Sequence, residues 1–198
     1  MLQVYVDSNV LPPEVASLST VGELVEYVKS TIDPSTIIVS LSKDNEPLTD
    51  SDWKRSISSL KDSKLEITTG SKMDFIHNRL QSVTELVEAV IQNVSDISGL
   101  FKANRSLDAN TNFSATLEDL NALFNWMYSI LSMDPDKFAL EVNEFSGLVR
   151  DLKYACGQMQ QQQLFQSWWA LGETLDKKVL PLLESVKDVG LRAENKAV

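Results

Sequence analysis

At 198 residues, the chain is long enough for one large domain or two small ones, and its 43% hydrophobic and 23% charged residues are ordinary for a globular protein. A net charge of −10, with no run of four basic residues, disfavours nucleic acid and anionic membrane surfaces, which are met by clustered Lys and Arg. No apolar run approaches the roughly 18 residues that span a bilayer. The opening MLQVYVDSNV lacks the basic and long apolar regions of a signal peptide. Cys156 is the single cysteine, so no intrachain disulfide forms, and a reducing cytoplasm is the expected location. The N-x-S sequons at Asn93, Asn104 and Asn112 are then chance occurrences.

In chain order, LQVYV (residues 2–6) alternates β-branched and aromatic side chains and reads as a strand. NVLPPEVASL returns as a short edge strand or partly as loop, because Pro12 and Pro13 cannot donate to a ladder. Thr20 and Glu23 form a T-x-x-E capping box, behind which Val21, Leu24, Val25, Val28 and Ile32 share one helical face. Asp33-Pro34 ends that helix. TIIVSL is a third strand, sending Ile37, Val39 and Leu41 to one face and Ile38 and Ser40 to the other. DNEPLTD is a turn, SDWKRSISSL a helical turn anchored by Trp53, and KLEIT a closing strand.

This order of elements, carried by LQVYV, TVGELVEYVKSTI, TIIVSL and KLEIT, resembles ubiquitin-like β-grasp domains over residues 1–70. It departs from them in the two prolines of the second strand and in the tail. Conjugated ubiquitin-like proteins end in Gly-Gly, whereas Gly70 is followed by 128 further residues. The resemblance therefore implies a built-in recognition domain, and its exposed aliphatic sheet patch would fall on Ile38.

From residue 71 the period changes to 3.5. Ser71 and Asp74 make an S-x-x-D cap, followed by Met73, Ile76, Leu80, Val83, Val87, Val90, Val94, Ile97 and Phe101 at steps of three and four. That rhythm predicts a helix of about thirty residues, ~45 Å long, with a coiled-coil-like seam. A second helix over 116–132 carries Leu117, Leu120, Phe124, Met127 and Leu131. A third, capped by Asp134-Pro135, carries Phe138, Val142, Phe145, Val149, Leu152, Cys156 and Met159. A fourth carries Trp168, Gly172, Leu175, Val179, Leu182, Val186 and Val189, with Pro181 predicting a kink or break. The fold class is thus α+β: a β-grasp-like domain over 1–70 and an antiparallel four-helix bundle over 71–198.

The run GQMQQQQLFQSWW (157–169) interrupts this rhythm. Continuing the third seam would bury Gln163, Gln166 and Glu173, which is costly, and the fourth seam restarts two residues out of phase. A turn near Gly157 is expected, with a stutter in one long helix as the alternative. Trp168 fits the seam. Trp169 points elsewhere and is either a core neighbour or an interface anchor.

Catalytic chemistry has few candidates. His77, the only histidine, sits early in the first long helix with no obvious nucleophile. Cys156 lies on an apolar seam, where a thiol acts as a small hydrophobe. With one His and one Cys, a structural zinc site is excluded, and no phosphate-cradling or nucleophile-elbow motif occurs. DANTNFSATLED (108–119) resembles an EF-hand calcium loop at Asp108, Asn110 and Asn112. It departs at Phe113, where glycine is needed, and at Asp119, where a bidentate Glu belongs. A polar interhelical loop is the plainer reading, and no metal or cofactor is expected.

These features predict a non-enzymatic cytoplasmic module for protein–protein interaction, an adaptor, scaffold or chaperone-like partner, with Ile38 and Trp169 as candidate contact residues. The alternatives are a self-associating coiled-coil protein, homo-oligomeric through its helical seams, and an enzyme relying on carboxylates.

Overall fold

The computed structural model describes residues 2–48, 50–60 and 62–198. The chain is α+β and divides into two compact units, Met1–Asn78 and Arg79–Val198.

The first unit is built on a five-stranded mixed sheet in the order β2-β1-β5-β3-β4, comprising β1 (Gln3–Val6), β2 (Asn9–Val10), β3 (Ile37–Lys43), β4 (Glu46–Pro47) and β5 (Lys64–Gly70). β1 runs parallel to β5, and helix α1 (Val21–Thr31) supplies the cover, giving the β-grasp-like arrangement. Both hairpins turn on pairs with positive φ, Asp7-Ser8 and Asp44-Asn45, as two-residue turns between twisted strands require. Their carboxylates also tie the turns to β5: Thr69 N–H donates to Asp7 Oδ1 at 2.7 Å, and Lys64 N–H to Asp44 Oδ1 at 2.8 Å. The bond from Lys64 N–H holds the Asp44 carboxyl below its usual range.

The capping box forms at the head of α1. Glu23 N–H donates to Thr20 Oγ1, while the Glu23 side chain reaches back to accept from Ser19 N–H rather than from Thr20. Val21, Leu24, Val25 and Val28 enter the core with Val4, Leu65 and Ile67. Pro13 does not extend β2 but opens a 3₁₀ turn over Pro13–Ser17. Trp53 is not the anchor of its segment, being 38% exposed beneath Lys29; Ile57 and Leu60 of the next 3₁₀ turn are buried instead.

β3 differs from simple alternation. A bulge between Ile38 and Ser40 makes Val39 an extra residue, so Ile38 and Leu41 both pack against the core, and Val39 is buried beside Gly70.

Helix α2 (Lys72–Leu80) opens with the expected cap, Asp74 N–H donating to Ser71 Oγ and Ser71 N–H to Asp74 Oδ2. The long first helix is broken: α2 ends at Leu80, Gln81-Ser82 turn, and α3 spans Val83–Lys102. The apolar rhythm survives the break, for Ile76, Leu80, Val83, Val87, Val90, Val94, Ile97 and Phe101 are all buried.

In the second unit α3 packs along α4 (Ser106–Leu131), and along α6 (Trp168–Thr174) and α7 (Leu180–Ala197). Helix α5 (Ala139–Leu164) packs on α6 and α7. Two departures from expectation concern helix ends. Residues 108–119 are not a loop but lie inside α4, because Ala109, Phe113 and Thr116 carry the buried seam upstream of Leu120. The turn expected near Gly157 falls at 165–167, with Gln166 at φ 52°. The glutamines stay helical because glutamine favours helix and their amides find partners. Gln158 accepts from Lys178, Gln162 donates to Thr174, and Gln163 to Asn110.

Between α6 and α7, Leu175–Val179 form a π turn directly before Pro181. It absorbs the missing proline N–H without breaking the rod and shifts the phase, so that Leu183 is buried and Leu182 only half-buried. Two small residues allow close approach to α3. A methyl group at Gly190 would lie 2.5 Å from a Val83 methyl, and one at Gly172 would lie 3.0 Å from the Ser98 carbonyl oxygen.

Candidate interaction site

α4 and α5 run antiparallel but touch only sparingly. Phe124 and Phe145 meet at 5.3 Å between ring centroids, and Gln163 bonds Asn110 near the other end. Along this seam lies an open groove of ≈ 860 Å³. Its floor is Phe113, Leu117, Leu120 and Phe124 from α4 with Val149, Leu152, Cys156 and Met159 from α5. Its edges are amides and hydroxyls, among them Asn121, Asn125, Tyr128, Gln160 and Gln163, with Lys153 as the cation. Among the described residues, no Asp or Glu lines it. On α4 the lining runs from Phe113 to Tyr128, about 22 Å at 1.5 Å per residue.

A second, shallower depression of ≈ 640 Å³ lies on the other side of α5, against the start of the last rod. Gln158, Gln161, Gln162, Tyr154, Thr174, Lys153 and Lys178 line it, again without a described carboxylate. Lys178 Nζ donates to Gln158 Oε1 at 2.6 Å and stands 5.3 Å from the centre of the Tyr154 ring. Gln162 Oε1 is buried and accepts no hydrogen bond from the described residues. Lys153 and Gly157 line both depressions, so Gly157 forms the saddle between them. A methyl group there would meet no neighbouring atom within 4 Å, although a mid-helix glycine costs about 1 kcal/mol relative to alanine.

The residues singled out from sequence are dispersed. Ile38 is half-buried against the core of the first unit. Trp169 is 63% exposed at the α5–α6 corner, near the exposed Leu164 and Phe165, while Trp168 stacks on Phe101 at 5.7 Å. His77 is half-buried in α2. Cys156 is half-buried in the groove, where burial pushes its thiol pKa up, against nucleophilic use at neutral pH. Asp108 is paired with Arg105 at 2.7 Å on α4, so the first position of the supposed calcium loop is engaged by a cation. Among the described residues, no group of three or more His, Cys, Asp or Glu side chains is placed to hold a metal.

Sequence reasoning missed the groove itself. The signal was present in Leu117 and Val149, assigned to seams although neither is fully buried, because seam periodicity does not reveal how far apart two helices stand.

The molecule thus combines a β-grasp-like sheet with a helical bundle that carries an apolar-floored groove free of described carboxylates. No family model, curated protein or solved structure matches this chain. No helix among the described residues is long and apolar enough to cross a membrane.

Proposed function

We propose that the protein is a non-enzymatic interaction module of the reducing cytoplasm, an adaptor or scaffold that receives an apolar-striped helix of another protein in the α4–α5 groove. One observation carries this reading: a groove ~22 Å long and floored by aromatic and aliphatic side chains stays open between two helices of the bundle. Helix-in-groove recognition reads anchors at i, i+3, i+4 and i+7, which needs an apolar trough of about this length. The test is selection of helix-forming peptides against the full chain. Selected peptides should lose binding on Leu117→Glu and on Val149→Glu, with helicity of the variants unchanged. Peptides insensitive to both substitutions would contradict the reading.

Self-association is a second reading, favoured by Leu164, Phe165 and Trp169, each exposed within the six residues around the α5–α6 turn. Light scattering over a hundredfold range of concentration separates the two. A dimer abolished by Trp169→Ala supports self-association through the corner, whereas a monomer throughout opposes it.

A further inference from the structure

We infer that the helix received by the groove is acidic along one flank, lies close to α5 at Gly157, and places carboxylates on Lys153 and Lys178; this rests on the reading of the groove as a docking site. Three observations converge on it.

The first is charge. The chain carries 28 acidic residues against 18 basic ones, yet neither depression beside α5 is lined by a described carboxylate. Elsewhere in the helical unit most cations are met within the fold: Lys102 and Lys177 by Glu173, Arg105 by Asp108, Lys187 by Glu88, Arg192 by Glu144, and Lys196 by Glu141; Lys137 and Arg150 carry no ion pair among the described residues but line neither depression. Lys153 and Lys178 have no such partner among the described residues; Lys178 bonds only a neutral amide and a ring face. At physiological ionic strength fields decay over about 8 Å, so a ligand seated beside these ammonium groups feels them more strongly than the net charge of the chain.

The second is Gly157. Gly172 and Gly190 are explained by packing against α3, but Gly157 has open space where a side chain would stand. Gly99 shares that property without lining either depression. At Gly157 the fold tolerates a poor helix former at the saddle between two concavities, where the lack of a Cβ lets another backbone come near.

The third is the edge chemistry. Gln158, Gln161 and Gln162 present neutral amides around the lysines, able to donate to carboxylate oxygens without competing as counter-ions.

The test uses two synthetic 16-residue helical peptides with one leucine stripe, flanked by Glu in one and by Lys in the other, titrated against the full chain by fluorescence anisotropy. The Glu peptide should bind about tenfold or more tightly than the Lys peptide, and the double substitution Lys153→Glu, Lys178→Glu should reverse that order. Gly157→Ala should raise the melting temperature while weakening the Glu peptide, a combination that a purely structural role would not produce. Equal binding of both peptides, or full binding by Gly157→Ala, overturns this inference and leaves the groove reading standing. Failure of both peptides to bind, or a second copy of the chain filling the groove in sedimentation runs, overturns both.

Discussion

α3 and α5 are both long helices of the same unit, and they finish their burial differently. α3 is held by α4 on one side and by α6 and α7 on another, and its Val83, Val87, Val94 and Phe101 are essentially sealed from solvent. α5 packs on α6 and α7 on one side, but its Val149 and Cys156 look into the open groove with Leu117 of α4. The same kind of apolar spacing thus serves a closed core in one helix and an open trough in the other. Apolar surface left uncovered at an interhelical seam contributes little to the monomer, which is why the groove is the place to look for a partner.

The sharpest way to break this contrast is to remove a side chain from the closed face. Phe101 packs edge-on to Phe113 and stacks on Trp168, and Phe101→Ala should cost about 3–5 kcal/mol in urea unfolding followed by helical circular dichroism. Gly190→Ala forces a methyl group onto Val83 and Met127 and should cost about 1–3 kcal/mol, although alanine is the better helix former. In the first unit, Thr20→Ala removes the acceptor for Glu23 N–H and should cost about 1 kcal/mol by the same measurement. Val149→Ala, on the open side, should cost less than about 1 kcal/mol, because part of its surface faces water already. A loss at Val149 as large as that at Phe101 would show that the groove is closed in solution.

Acid should act on the closed side by a smaller, graded route. Burial is the largest single influence on Glu141 and raises its pKa, but the Lys196 hydrogen bond, a backbone N–H and the charges of Lys196 and Arg192 together hold the carboxyl below its usual range. Burial is likewise the largest influence on Asp176 and raises it, but the bonds with Lys102 and Ser98 and the charges of Lys102 and Lys177 together lower it. Both carboxyls are lowered on folding, so their contribution is complete above the ordinary carboxylate range. It is lost as pH falls through the folded values. Melting temperature should therefore hold from neutrality to about pH 5 and decline below it, and Glu141→Gln should flatten that decline.

The architecture was largely legible in the sequence because it rests on periodicity. The strand patterns LQVYV, TIIVSL and KLEIT (64–68) and the 3.5 rhythm after residue 71 located the sheet and the bundle. What was hidden depended on partners that a linear pattern does not name. The bulge at Val39 reset the alternation of β3 and turned Ile38 inward. Residues 108–119, polar in their first part, looked like loop, yet Ala109, Phe113 and Thr116 kept them helical through packing. The glutamine run resembled a break because its hydrogen-bond partners, Lys178, Thr174 and Asn110, lie 12 to 53 residues away. The groove was invisible for the same reason, being a property of the spacing between two helices.

Cys156 gives the most direct test of that spacing, since it is the single thiol of the chain and lines the trough. Its labelling by an apolar thiol reagent should be measured in native buffer at a pH high enough to form thiolate, with and without a saturating groove-binding peptide. An open trough predicts labelling of the folded protein at a rate independent of added sub-denaturing urea, and suppression of that labelling by the peptide. Labelling that tracks global unfolding and ignores the peptide would contradict the account.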